Sequence, residues 1–218
     1  MINYVNNAYD KVLKPCDAQR GSIITNSQET ERLILAHRGG DAKAKAKLPA
    51  LTYMGVFDKT KWPPSNPPKG GGTRKAEFMR PTGLLMMDFD HQPNPRTIYD
   101  DLLSCLSSDE IAPASVLALA HITPSGDGLR LVLKREKGKS IEQEQYEWFK
   151  RIEKHHEGEL TFDDVCKDIS RLSFAPMKSE ILYFNPSLLF GELPEAGDYP
   201  DEGAPLFSPQ GGMTCPWK

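Results

Sequence analysis

Gly83-Leu84-Leu85-Met86-Met87-Asp88-Phe89-Asp90 is a short apolar run that ends in two acids. Its length and composition predict a buried strand. Alternate side chains share one face of a strand, so Leu84, Met86, Asp88 and Asp90 point one way and Leu85, Met87 and Phe89 the other. Both carboxylates then emerge side by side at the strand's end, roughly 6–7 Å apart at Cα, a spacing from which they can converge on a divalent cation. Acids set among apolar residues are costly to leave unpaired, which calls for a bound cation or a basic partner. A polar turn, Asp90-His91-Gln92-Pro93, accounts for the same residues without any function.

Working outward, Asn94 is placed to cap a helix that opens on Pro95 and repeats Ile98, Leu102 and Leu106 along one face. Residues 115–123 and 129–134 read as two more strands joined by Pro124-Ser125-Gly126-Asp127-Gly128, a hairpin signal. Ser140 and Gln143 form a capping-box pattern before a helix bearing Ile141, Trp148, Phe149 and Ile152 that runs to about His155. Residues 181–184 read as a final strand. Residues 162–176 fit two readings: Phe162, Val165, Ile169 and Leu172 recur as on a helix, and residues 172–175 suit the opening of a strand.

Upstream, Ser27 is a cap for a helix carrying Leu33, Ile34 and Leu35 that Gly39-Gly40 ends, and residues 41–47 read as a short Ala/Lys helix stopped by Pro49. Residues 62–72 hold too many prolines and glycines for a regular element and predict the centre of a mobile, basic loop over about 58–80. From Pro194 the chain turns Pro/Gly-rich and acidic, which predicts a tail or linker over 194–218 behind one domain over 1–193.

With 218 residues, 39% of them hydrophobic and 26% charged, the chain is long enough for a sizeable core and is neither a disordered, a coiled-coil nor a collagen-like sequence. No run of 18 apolar residues occurs and the first residues lack the blocks of a signal peptide, so a cytoplasmic protein with no membrane partner is expected. Cys16, Cys105, Cys166 and Cys215 form no Cys-x-x-Cys pair, and His37, His121, His155 and His156 show no ligand spacing. Ordinary thiols and ordinary surface or core histidines are expected. The net charge of −3 is unevenly spread: residues 38–80 carry ten Lys and Arg against three acids, net +7, and residues 81–218 carry −10. One basic segment facing phosphates fits this distribution, and so does a solvated lysine-rich loop.

Two further clusters carry chemistry. In Thr123-Pro124-Ser125-Gly126-Asp127-Gly128-Leu129-Arg130, two glycines let backbone amides approach an anion, Ser125 adds a hydroxyl, and Arg130 can fork onto a phosphate. A glycine-rich hairpin turn explains the same residues. Phe162-Asp163-Asp164-Val165-Cys166-Lys167-Asp168-Ile169-Ser170-Arg171 holds three acids and an arginine, enough to complete a carboxylate cluster and add a phosphate contact. A solvated helix face with an Asp168–Arg171 pair explains these equally well.

Asp-x-Asp on a strand, Ser-Gly-x-Gly-x-basic in a hairpin and an Asp ahead of Ser-Arg follow one another in an order that resembles the archaeo-eukaryotic primase and primase-polymerase superfamily. More narrowly, Lys47-Leu48-Pro49-Ala50-Leu51-Thr52 with Gly55 and Phe57, the stretch from Thr82 to Asp90, and Asp168-Ile169-Ser170-Arg171-Leu172 resemble the VirE-type N-terminal domain of proteins on bacterial mobile elements, across roughly residues 30–190. The resemblance implies an α+β fold: a two-part primase-polymerase core whose mainly antiparallel, RRM-like palm sheet is flanked by helices. It implies that Asp88, Asp90 and Asp163 hold metal, with Asp164 and Asp168 as alternatives for the third acid, and that Ser125, Gly126, Arg130 and Arg171 contact a nucleotide. A histidine is usual where Arg130 stands; arginine keeps the charge and loses the titratable proton, so phosphate binding survives the change better than catalysis.

The implied activity is a metal-dependent nucleotidyltransferase, a DNA primase or polymerase acting on single-stranded DNA and nucleoside triphosphates in replication of a mobile element or phage. Two Mg²⁺ or Mn²⁺ ions roughly 3.5–4 Å apart would align a 3′-hydroxyl with the α-phosphate. Lys59, Lys61, Arg74 and Lys75 are the expected template contacts, with Trp62 and Tyr53 as stacking aromatics. The sequence carries no ATPase motif, so unwinding falls to a helicase in trans or on another domain. The rival readings are a single-stranded nucleic-acid-binding module without turnover and a metal-dependent nuclease.

Overall fold

The structure, a computed structural model, describes residues 1–62, 72–163 and 167–200. Its centre is a four-stranded antiparallel sheet of β7 (Leu84–Phe89), β8 (Leu117–Ile122), β9 (Leu129–Lys134) and β11 (Ile181–Phe184), in the order β11-β8-β9-β7. Every residue of β7 is buried. The cause is a layer on each face: Phe89 meets Phe162 at 5.7 Å between ring centroids, and Phe162 meets Phe149 at 5.9 Å. On the other face Arg130, the residue directly across from Asp88, reaches Ser173. A strand covered on both sides reads as a near-continuous apolar run.

Phe149 belongs to α6 (Ile141–Glu153), which packs beside α4 (Pro95–Ser108). Ile98, Leu102 and Leu106 of α4 are fully buried, as their spacing predicts. The Ser140 hydroxyl accepts from the Gln143 amide; the reciprocal half of the capping box is absent, because the Gln143 side chain donates to Glu147 instead. Among the flanking elements are the short helices α5 (Pro113–Val116) and α7 (Pro186–Leu189).

Ser173 belongs to a second, five-stranded sheet. It comprises β1 (Ile2–Val5), β2 (Val12–Cys16), β3 (Ala50–Thr52), β5 (Gly72–Thr73) and β10 (Ser173–Phe174), in the order β10-β3-β1-β2-β5, each pair antiparallel. Helices α1 (Ala18–Thr25), α2 (Gln28–Arg38) and α3 (Ala44–Lys47) lie between β2 and β3 in the chain. Ser27 caps α2 by accepting from the Thr30 amide, and the helix ends at Gly39. A small third sheet pairs β4 (Gly55–Phe57) with β6 (Met79–Pro81). Both large sheets contribute to one apolar core.

The mixed α+β class and the antiparallel sheets match expectation. The RRM likeness is partial. In chain order the central sheet runs β7-α4-β8-β9-α6-β11, with β7 and β8 on either side of antiparallel β9, a split β-α-β unit. Its last strand pairs with β8, which leaves β7 at the edge, whereas a ferredoxin-like arrangement seats that strand beside β7. Other groups cover the edge: the Gln145 side chain donates to the Met86 carbonyl at 2.9 Å, and the Asp163 amide to the Asp88 carbonyl at 2.9 Å.

Two sequence readings are corrected. The described part of 162–176 forms no α-helix, since the Asp168 carboxylate accepts from the Ser170 amide and hydroxyl, a local turn that competes with helical bonding. Only the strand reading survives, as β10. The basic segment expected as a loop over about 58–80 carries regular structure at both ends: a 3₁₀ turn at Lys59–Lys61 capped by Asp58, then β5, a second turn at Ala76–Phe78, and β6. Residues 63–71 lie outside the described residues, as do Asp164, Cys166 and the final part of the expected tail. Residues 194–200 approach the body, with Arg135 stacked over the Tyr199 ring at 4.6 Å. No helix among the described residues is long and apolar enough to cross a membrane.

Candidate metal centre

Three acids meet where β7 ends. Asp88, the last but one residue of the strand, is 2% exposed, Asp90 lies just past the strand's end half-buried, and Asp163 is brought alongside by its own backbone bond to the Asp88 carbonyl. One carboxylate oxygen from each lies within 4.8 Å of the others, a little more than the roughly 4.2 Å between opposite oxygens on one Mg²⁺ ion. Three hard oxygen donors, converging from two segments, fit a divalent cation such as Mg²⁺, Mn²⁺ or Ca²⁺.

The turn after β7 aims Asp90. His91 adopts the left-handed conformation at φ 56°, one that is uncommon for non-glycine residues. Gln92 holds the turn: its amide donates to the Asp127 carbonyl at 2.7 Å, and its side chain to the Asp90 carbonyl at 2.8 Å and the Thr161 carbonyl at 3.0 Å. One buried glutamine thus ties together the three chain segments that surround the acids. Burial and the neighbouring Asp163 charge raise the Asp90 carboxyl above its ordinary range, with Lys45 pulling the other way.

The hairpin turn between β8 and β9 packs against this site. A Cβ on Gly128 would lie 2.7 Å from the Thr123 hydroxyl and 2.9 Å from an Asp90 carboxylate oxygen, so only glycine lets the turn come this close. Gly126 takes the left-handed turn at φ 90° beneath the Arg38 guanidinium. Ser125 shares a hydrogen bond of 3.0 Å with Thr123. Arg38, from the end of α2, donates to the Pro124 and Thr123 carbonyls at 2.9 and 3.2 Å and forks onto Glu180 at 2.7 Å for each bond.

A cleft of about 460 Å³ connects these parts. Asp88, Asp90, Ser125 and Arg130 line it, and so do Lys45, Arg74 and Arg171. Arg171 donates to Asp163 at 3.3 Å, in place of the Asp168 pairing that a helix would have given. Asp168 also lines the cleft but stands apart from the three converging acids. Arg130 is 8% exposed and engaged within the protein, bonded to Asp88 and, at 2.7 Å, to the Ser173 hydroxyl.

Of the expected nucleic-acid contacts, only Arg74 lines the cleft; Lys59, Lys61 and Lys75 do not. Lys61 donates to the Met79 carbonyl at 2.9 Å, and exposed Lys75 pairs with Glu77. Tyr53, at 1% exposure, is too buried to stack on a base, while half-buried Trp62 packs with its ring centroid 4.4 Å from that of Phe78. Lys45, Gln92 and Arg38 had no individual signal in the sequence; only Lys45 and Arg38 belong to a segment marked by its charge. Cys16 and Cys105 are buried free thiols, and burial pushes Cys16 up to about 12.

Compared with protein-family models, with curated proteins and with solved structures, the chain matches none.

Proposed function

We propose that this chain is a metal-dependent nucleotidyltransferase of primase-polymerase type, acting on single-stranded DNA with nucleoside triphosphates. The observation that carries the reading is the convergence of Asp88, Asp90 and Asp163 within 4.8 Å beside a cleft also lined by Lys45, Arg74 and Arg171. Acids that can hold cations and bases that can hold phosphates are the two requirements of phosphoryl transfer. Mg²⁺ or Mn²⁺ held by the three acids would supply Lewis-acid neutralisation of the phosphate and activation of a 3′-hydroxyl. The chain's own groups supply the rest: Ser125 and Arg171 contact phosphate oxygens, Lys45 and Arg74 draw the polyanion in, and the Gln92 staple keeps the acids aimed. The setting, replication of a mobile element with unwinding by a separate helicase, comes from the sequence resemblance alone.

A second reading, a single-stranded nucleic-acid-binding module without turnover, draws on the Arg130–Asp88 pair, which neutralises one of the three acids. The test offers purified protein primed and unprimed single-stranded DNA, labelled nucleotides and Mg²⁺ or Mn²⁺. Controls are Asp90→Asn and Asp163→Asn, which leave Arg130 its partner. Product from the wild type and none from the variants supports the enzyme. DNA retention without product supports the binding module, and template shortening without triphosphates points to a nuclease.

A further inference from the structure

Asp88, Arg130 and His121 occupy facing positions on β7, β9 and β8, so the Asp88 carboxylate and the Arg130 guanidinium share one face of the central sheet. Both are almost wholly removed from water, at 2% and 8% exposure. Arg130 is held from two sides, by Asp88 and by the Ser173 hydroxyl of the neighbouring sheet at 2.7 Å. A guanidinium cannot shed its proton to relieve crowding by a second cation. A divalent ion drawn to Asp88 therefore meets a fixed positive charge in contact with the same carboxylate, in surroundings too dry to screen the repulsion. Asp90 and Asp163 sit in wetter surroundings: the guanidinium bonded to Asp163, that of Arg171 at 3.3 Å, is partly exposed, and the largest cationic influence on half-buried Asp90 is Lys45.

Resting on the metal-dependent reading above, we propose that Arg130 is an internal counter-cation of the site, which competes with a divalent ion for Asp88 and so weakens the protein's hold on that ion. The resting site then takes up its ion chiefly through Asp90 and Asp163. Arg130 also keeps the metal-free protein folded, since Asp88 is never left as a buried charge without a counter-charge.

The experiment titrates Mn²⁺ into metal-depleted wild-type protein and into Arg130→Met, following bound Mn²⁺ by water-proton relaxation and melting temperature in parallel. Removal of a like charge at contact distance is expected to tighten Mn²⁺ binding about tenfold or more. The metal-free variant should melt lower than the wild type, and Mn²⁺ should raise its melting temperature by more. A second measurement reads the wild type itself: in ¹⁵N spectra of its arginine side chains, Mg²⁺ should shift the Arg130 guanidinium signal, assigned by its loss in the conservative variant Arg130→Lys. Equal or weaker Mn²⁺ binding by a folded Arg130→Met, or an Arg130 signal that stays put while Mg²⁺ occupies the site, overturns the inference and leaves the metal centre standing. Flat Mn²⁺ titrations for both the wild type and a folded Arg130→Met remove both, and that outcome identifies the metal-dependent reading as the one that failed.

Discussion

His121 sits fully buried in β8, one strand from Arg130, with its Nδ1 2.9 Å from the Ile122 carbonyl. Burial lowers its pKa to about 4, well under the ordinary imidazole value. The folded state therefore binds this proton less readily than the unfolded chain. The stability His121 contributes is present above about pH 6.5 and is lost as pH falls toward 4. Urea unfolding at pH 7 and pH 5 should differ by on the order of 2 kcal/mol from this residue, and His121→Leu should shrink that difference. Asp90 has the opposite sign. Its raised carboxyl means that the folded state favours the protonated form, so ionisation costs stability as pH climbs through the raised value, and the deficit persists at pH 7. Asp90→Asn should raise the metal-free melting temperature at pH 7 and abolish any rise on adding Mn²⁺. Asp88 and Asp90 were legible, because strand alternation alone puts them together; Asp163 came from the resemblance, which left Asp164 and Asp168 as alternatives. What Arg130 does was not legible: its partner depends on which residue of β7 stands across from it, and register is set by tertiary packing.

The elements around the site divide in the same way. Hairpin β8–β9, helix α6 with its Ser140 cap, and helix α2 with its Ser27 cap follow from local chemistry that the sequence displays. β1, β2 and β3 do not: they are three to five residues long, and apart from the pairing of β1 with β2 their partners lie tens of residues away, β3 for β1, β5 for β2 and β10 for β3. The join between the two kinds is Arg38, which fastens the end of α2 to the β8–β9 turn and to Glu180. Arg38→Met should leave two carbonyls and a carboxylate short of their donor, a loss of about 1–3 kcal/mol. It should also speed hydrogen exchange at the Gly126 amide, which bonds the Thr123 carbonyl, while amides in the middle of β9 exchange as before. Uniformly faster exchange would show that Arg38 supports the whole fold and not this turn.

Charge makes sense only at the scale of the whole molecule. Along the chain, residues 38–80 stand out at net +7, which marks them as one basic surface. Folding breaks that surface up. Arg38 is spent on Glu180, Lys75 on Glu77, and Lys61 on the Met79 carbonyl, while Lys45 and Arg74 reach the cleft from opposite ends of the segment. There they are joined by Arg171, which comes from the part of the chain that is acidic overall. On the proposed reading a polyanion would meet the acids beside three bases that are far apart in sequence, a grouping that the linear charge count does not pick out. This can be separated by salt titration, because each phosphate neutralised on a single strand steepens log affinity against log salt by about 0.7. Lys45→Gln/Arg74→Gln should flatten that slope for single-stranded DNA by about 1.4, two contacts' worth. Lys59→Gln/Lys75→Gln, which removes the same charge outside the cleft, should leave the slope within error of the wild type. The reverse result would put the strand on the outer face of the basic segment and detach DNA binding from the metal centre altogether.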